Sequence, residues 1–570
     1  MPALNWKIAG AAGEGIKVSG LILSKALFRQ GVNIHGYTEY PSLIRGGHNT
    51  FQVAASIEKA HAPKVALDVM VALNANAVLN HQEEFTDQTA IVADLNLIKN
   101  DLTGFKRQNQ IIDIPLAKIA RDSGGGLLVK NTVALGASGY LLNLPLESLN
   151  QILTETFARK GEEVVKLNHQ AASLGYDYVK TNFPDKKLNF AYPGKPPADK
   201  IFLTGNEAIA LGAVAGGLKF YTAYPMTPTT AILHYLAAHA DQFGLVVRHG
   251  ENEIGVVNSA IGAAFAGVRS MVATSGGGFS LMTEGLGLSG VTETPLVVVL
   301  GMRPGPASGM PTWSSQGDLL FAINASQDEF PRLVFTPGDP AEAFEAARLA
   351  QNLSEKYQTP ALVLTDKYLS ESYFTVDRFA DQHLNQRHSL ADSKALPNDQ
   401  PFPRYQLTDN GISPRPLPGT PGGVHLTNSY EHDELGYATE ESKVRTAQVD
   451  KRNRKFASMS QEESLPQPVL FGPQNAATTI VSWGSNKGVI RQALNLLPDV
   501  NFIHLPLVWP FPEKTLAKLL ASAKKLVTLE CNSTGQLNRL IREQTGITID
   551  RKLLKYDGRP FYPEEIVEKL

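Results

Sequence analysis

Cysteine is almost absent: Cys531 is the only one in 570 residues. One thiol excludes an intrachain disulfide, a four-cysteine cluster and a cysteine-built zinc site within this chain, so any iron–sulfur chemistry has to come from a partner. No run of about 18 apolar residues occurs, and no membrane partner is expected. The opening stretch Met1–Gly10 lacks the basic segment and apolar core of a signal peptide, so the expected compartment is the cytoplasm. Excess charge is lacking too. Lys and Arg number 53 against 55 Asp and Glu, a net −2, which offers no electrostatic reason to expect nucleic acid or an anionic surface.

What is present is glycine and proline, 48 and 35 residues, set between short apolar runs. The length predicts three to five domains. The pattern of strand, Gly-rich turn and helix recurs along the chain and predicts a multidomain α/β protein. Residues 1–180 read as one α/β domain that opens with Trp6–Gly10, the glycine loop Ala11–Gly15 and a helix from Ile16 to Gln30. Such a turn suits an anion, or simply packs strand on helix; it is not a full dinucleotide fingerprint. The loop Glu39–Asn49 carries Arg45 and His48 beside Gly46 and Gly47, as a binding surface or a tight turn. Residues 181–199 have linker composition, 200–375 form a second α/β domain, 376–470 a polar, turn-rich connection, and 471–570 a third α/β domain.

The second domain holds the chemistry-bearing residues. Glu253 stands where the run from Val246 enters a small-residue helix, a place favoured by the helix dipole and also the open edge of a parallel sheet, where ligand sites form. In Tyr224-Pro-Met-Thr-Pro-Thr-Thr230, Pro225 and Pro228 stiffen a turn crowded with Thr227, Thr229 and Thr230, for ligand contact or for helix capping. Strand Ser270–Thr274 runs into Ser275, Gly276, Gly277 and Gly278, which let a flat ligand or a phosphate approach the backbone. Pro295–Leu300 reads as a central parallel strand and delivers Arg303, whose fork suits a substrate carboxylate or a structural salt bridge. Further on, Glu431-His-Asp-Glu434 reads as a solvated loop before a metal site, and Lys451-Arg-Asn-Arg-Lys455 as a solvated helix face.

Taken together, Tyr224–Thr230, Glu253–Ala264, Thr274–Gly287 and Gly305–Thr312 resemble the motifs of 2-oxoacid:ferredoxin oxidoreductase α subunits, in one order over about 90 residues. The first 180 residues resemble the family's γ subunit through Gly13–Ile16 and Arg45–His48, and Val481–Ser485 with Asn532–Leu537 is similar to its transketolase-C-like domain. The chain thus resembles a γ–α fusion, with 2-oxoglutarate favoured over pyruvate or branched 2-oxoacids.

The resemblance implies thiamine diphosphate, with Glu253 hydrogen-bonding the aminopyrimidine N1′, and Tyr224, Pro225 and Thr274–Gly278 lining the cofactor. It implies Arg303, Thr227 and Thr229 as substrate contacts, with Glu253, Arg303 and Thr227 catalytic. The implied reaction converts 2-oxoacid, coenzyme A and oxidised ferredoxin to acyl-CoA, CO2 and reduced ferredoxin, reversible under strongly reducing conditions. No diphosphate motif with downstream acids is present, so Mg2+ and the [4Fe–4S] cluster are expected on a β subunit, in an (αβ)2 assembly, with no metal on this chain. Two departures stand out: Trp313 replaces a basic residue often found after Pro-Thr, and Gly276–Gly278 replaces Gly-Pro-Gly. A non-catalytic assembly subunit, a transketolase-type enzyme and a dinucleotide-dependent dehydrogenase are the competing readings.

Overall fold

The computed structural model describes residues 4–43, 46–98, 101–102, 105, 107, 110–196, 198–380, 387–391 and 400–570. Arg45, proposed above beside the paired glycines, lies outside them. Three sheets organise the chain, of eight, seven and five strands.

The first sheet runs, edge to edge, Ile111–Asp113, Phe85–Ala93, Leu67–Ala72, Leu4–Ala12, Gly46–Ser56, Asn33–Glu39, Tyr373–Asp377 and Lys200–Thr204. Its last two strands come from the stretch after the Pro-rich passage, so the N-terminal sheet is completed by residues on both flanks of the middle unit. Asn33–Glu39 and Gly46–Ser56 form an antiparallel ladder. His48, exposed-looking in the sequence, is half-buried, and its Nε2 meets His81 Nε2 at 2.8 Å.

The middle sheet has the order Leu507–Trp509, Leu333–Phe335, Pro360–Asp366, Leu296–Met302, Ser270–Ser275, Phe220–Ala223 and Val246–His249. All pairs are parallel except the edge strand Leu507–Trp509, lent by the C-terminal unit. Val297 to Leu300 are buried on both sheet faces, as a continuous aliphatic run in a parallel strand requires. Helices Glu253–Phe265 and Gly276–Val291 pack closely because Gly285 has no side chain: a Cβ there would stand 2.7 Å from Val257 Cγ1. The third sheet orders Val469–Phe471, Val500–Leu505, Thr478–Trp483, Leu526–Glu530 and Arg551–Leu554.

Lys451–Lys455 is not a solvated face. It lies in helix Ser442–Ser460, where Lys451 and Lys455 are fully buried and each ammonium meets the Glu293 carboxylate at 2.5 Å. Arg452 pairs with Glu431 at 2.7 Å. The charges were visible in the sequence, but their partners were distant in it, and a buried cation is tolerable only when paired. His432, expected in a solvated loop, is buried against the Tyr405 ring, with centroids 3.8 Å apart. No group of three His, Cys, Asp or Glu able to hold a metal occurs among the described residues. No helix is long and apolar enough to cross a membrane, again among those residues.

Candidate active site

Four neighbouring parallel strands of the middle sheet end on the same edge and deliver four loops side by side. Val246–His249 leads to Glu253, Phe220–Ala223 to the Tyr224–Thr230 turn, Ser270–Ser275 to the glycine run, and Leu296–Met302 to Arg303. Adjacent strand ends at the carboxyl edge of a parallel sheet are where such folds gather a site.

Glu253 is the first residue of its helix. Asn252 caps that helix, its side chain accepting from Gly255 N at 2.8 Å, which turns the chain and sends the Glu253 side chain inward. Glu253 is only 4% exposed, and its Oε1 is buried without a hydrogen-bond partner among the described residues. A buried carboxylate oxygen left unpaired costs several kilocalories in the free protein, which marks it as waiting for a donor. The glycine run explains how the acid reaches this place. A Cβ on Gly278 would stand 2.5 Å from Glu253 Oε1 and 2.1 Å from Thr274 Oγ1, so only glycine lets the helix Gly276–Val291 begin beside the acid. Thr274 and Ser275 are fully buried; the Thr274 hydroxyl lies 3.8 Å from Met226 Sδ, and the Ser275 hydroxyl has no partner.

The Tyr224–Thr230 turn is held from three sides. Thr229 donates through both its amide and its hydroxyl to Met226 O, each at 3.0 Å. Asn206 donates to Pro228 O at 2.8 Å, and Arg303 Nη1 donates to Thr227 O at 2.9 Å. Gly301 completes the clamp, because a Cβ there would stand 2.6 Å from Thr229 Cγ2. Among the described residues Arg303 makes no salt bridge to a loop acid, and one of its donors is fixed to the turn. It is half-buried, and burial lowers its pKa from the ordinary value. Thr227 and Pro225 are half-buried and Tyr224 is 40% exposed at the mouth, with its ring 6.2 Å from that of His249.

Several contributors carry no local sequence signal. Asp318 lies against the start of the glycine helix, its Oδ2 2.8 Å from where a Gly276 Cβ would be, and burial pushes its pKa up to about 6. Asn206 sits in another element and acts only through space. The segment after Arg303 folds back, with Met310 N donating to Pro304 O at 3.0 Å, and Thr312 Oγ1 then donates to Tyr40 O of the N-terminal unit at 2.5 Å. Tyr40 borders an open cavity of about 490 Å3 walled by the glycine loop at Gly13 and Gly15, with Lys17, Thr38 and Asn49. Glu14 of that loop is tied down by Lys130 at 2.8 Å.

Residues 211–451 match the family model described as pyruvate flavodoxin/ferredoxin oxidoreductase, thiamine diphosphate-binding, and residues 5–178 that of pyruvate ferredoxin/flavodoxin oxidoreductase. A 2-oxoacid:ferredoxin oxidoreductase subunit alpha of Sulfolobus sp is 33% identical over 100% of this chain and 96% of its own. The 2-oxoglutarate oxidoreductase subunit KorA of Mycobacterium tuberculosis is 28% identical over 98% of this chain and 90% of its own. The solved 2-oxoglutarate:ferredoxin oxidoreductase of Magnetococcus marinus, with 2-oxoglutarate, coenzyme A and succinyl-CoA bound, superposes with a TM-score of 0.92 at 33% identity, covering 100% of this chain and 99% of that one. The chain belongs to the 2-oxoacid:ferredoxin oxidoreductase α subunits.

Proposed function

We propose that this chain is the catalytic α subunit, with its γ-like unit fused in front, of a complex that converts 2-oxoglutarate, coenzyme A and oxidised ferredoxin to succinyl-CoA, CO2 and reduced ferredoxin. The observation that carries this reading is the buried Oε1 of Glu253, without a hydrogen-bond partner among the described residues, at the same strand-end edge that carries Arg303 and Thr227. These residues fit thiamine diphosphate. An acid with a vacant acceptor suits a protonated ring nitrogen, and Gly277, where a Cβ would meet nothing nearer than Ala307 O at 3.9 Å, leaves the backbone open to a flat ring. When bound, that cofactor supplies the nucleophilic carbon and the electron sink for decarboxylation.

The protein's part is to bind, orient and hold protons. Glu253 would hold N1′ of the aminopyrimidine by a shared proton, and Thr274, Ser275 and Gly276–Gly278 would line it, with Tyr224 and Pro225 at the rim. Arg303 holds the 2-oxoacid carboxylate, already aimed by its bond to Thr227 O, while the Thr227 and Thr229 side chains shape the pocket around the oxo group. Coenzyme A enters through the cavity at Gly13, Lys17 and Tyr40, joined to the Arg303 segment by Thr312. The choice of 2-oxoglutarate is supported by the ligands of the Magnetococcus marinus structure. Ile254, Leu281 and Val246 are exposed apolar residues on the elements that carry the site, and they suit cover by a β subunit bringing Mg2+, the diphosphate contacts and a [4Fe–4S] cluster.

The test is co-purification with the β subunit and an assay with 2-oxoglutarate, coenzyme A and ferredoxin or viologen. A brown complex that reduces the acceptor only when all substrates are present supports the proposal. A complex inert towards every 2-oxoacid overturns it and favours an assembly subunit.

A further inference from the structure

Where the three units meet they enclose a cavity of about 50 Å3 whose walls share no residue with the site described above. Lys59 and His61 come from the N-terminal unit, Asp339 and Tyr368 from the middle unit, and Lys487 and Arg491 from the C-terminal unit. Strands Leu333–Phe335, Pro360–Asp366 and Thr478–Trp483 are each followed within a few residues by part of the wall, so the cavity lies beyond the carboxyl ends of strands in two sheets. Helix Asn486–Leu494 fits tightly against the N-terminal unit here. A Cβ on Gly488 would stand 2.6 Å from His61 O, and His61 N donates to Gln492 Oε1 at 3.1 Å.

The acids around this cavity are already engaged. Asp339 caps helix Pro340–Tyr357, its Oδ1 accepting from Glu342 N at 3.0 Å, and its Oδ2 meets the Lys487 ammonium at 2.5 Å. Asp377 pairs with Lys200. Two cations have no such partner: among the described residues Lys59 and Arg491 make no ion pair, and Arg491 lies over the Phe471 ring, 4.6 Å from its centroid. Burial first, then the Arg491 and Lys59 charges, hold the His61 pKa down at about 3, so the ring is neutral and offers an N–H. Tyr368, 3% exposed, belongs to the wall, and its hydroxyl has no hydrogen-bond partner among the described residues. Helix Asn486–Leu494 starts at the cavity without a side-chain cap, because the Ser485 hydroxyl donates to Asp366 Oδ2 at 2.5 Å instead. Unpaired cations, a neutral imidazole, an unpartnered hydroxyl and an uncapped helix start favour one kind of guest, an anion that accepts several hydrogen bonds. The volume sets its size: about 50 Å3 takes about four water-sized atoms, which matches the oxygens of one tetrahedral oxyanion and leaves no room for a nucleotide.

We infer that the junction of the three units is a binding site for a small inorganic oxyanion of the phosphate class, held by Lys59, His61 and Arg491 and separate from the substrates of the proposed reaction. Bound there, the anion joins side chains of the N-terminal and C-terminal units, and it stabilises the folded chain by mass action.

The probe is inorganic phosphate, titrated into the full complex with the β subunit at constant ionic strength against chloride. Saturating coenzyme A and thiamine diphosphate are present, so that the phosphate subsites of those ligands are filled. Equilibrium dialysis with radiolabelled phosphate and thermal unfolding are the readouts. Expected are one phosphate held per copy of this chain and a saturable rise of a few degrees in the unfolding temperature. Arg491→Gln and Lys59→Met should each weaken phosphate binding about tenfold or more, and Arg491→Lys should fall between parent and Arg491→Gln. A parent complex that binds no phosphate under these conditions overturns the inference, as does binding that Arg491→Gln and Lys59→Met leave unchanged. Phosphate that binds only when coenzyme A is omitted also overturns it, assigning the cations to that substrate. Should Arg491→Gln fail to assemble, Lys59→Met decides, since it changes an exposed side chain. Neither readout needs turnover, so a complex inert towards every 2-oxoacid overturns the proposed function while the binding result still decides this inference.

Discussion

Glu253 and Gly278 interlock: the acid's Oε1 fills the space where a Cβ on residue 278 would stand 2.5 Å away. The two residues belong to successive helices of the middle unit, and a side chain at 278 would displace the acid.

Gly278→Ala should therefore push the Glu253 carboxylate out of position without unfolding the unit. The expected result is a fall in kcat of about a hundredfold, since ångström-scale misplacement of a catalytic group has that effect. Steady-state kinetics with a far-ultraviolet circular dichroism control checks it; parent-like kcat would show that the interlock is not functional.

Glu253→Gln keeps the shape and removes the shared proton. Turnover should drop by about two to four orders of magnitude while the complex still assembles. Size-exclusion chromatography beside the activity assay separates loss of chemistry from loss of structure.

Arg303→Lys retains a positive charge but loses the fork that reaches Thr227 O and a carboxylate together. The KM for every 2-oxoacid, mono- or dicarboxylic, should rise about tenfold.

Asp318 gives a pH-dependent prediction. Burial raises its folded-state pKa to about 6, above the unfolded value of about 3.9, so the folded chain binds more protons between those pH values. Its contribution is fully present below pH 4 and is lost as pH rises through 6. Asp318→Asn should therefore stabilise the protein by about 2–3 kcal/mol at pH 8 and change little at pH 4. Thermal unfolding at both values measures it; equal shifts at the two would show that Asp318 does not titrate in this range.

Lys455→Met should destabilise the chain by about 3 kcal/mol, because it leaves Glu293 buried with half of its paired charge. Adding Glu293→Gln should recover part of that loss, and the double-mutant cycle in urea gives the coupling directly.

The local pattern of apolar runs ending in glycine, acid or proline was enough to read the α/β class and to put Glu253, Thr227, Thr274 and Arg303 at strand ends, while only the family resemblance singled them out as site residues. Each of those sits at a strand end, and a strand, its turn and the following helix are contiguous in the chain, so their signal survives in one dimension. The strand Gly46–Ser56 was harder, because its glycines and His48 read as part of a loop. Lys455 was read wrongly as solvated because its partner Glu293 lies 162 residues away, and nothing near Lys455 records that acid.

The sequence alone therefore determined the α/β class and the order in which the candidate residues occur at its strand ends. Only the folded chain decided that Glu253 keeps an oxygen unpaired among the described residues against Gly278, that Arg303 is tied to Thr227 O, and that Arg559 comes to lie over the Trp313 ring. The physical reason is distance: burial and pairing depend on what the sheet order brings together, and a parallel sheet places strand ends side by side that the chain keeps tens to hundreds of residues apart.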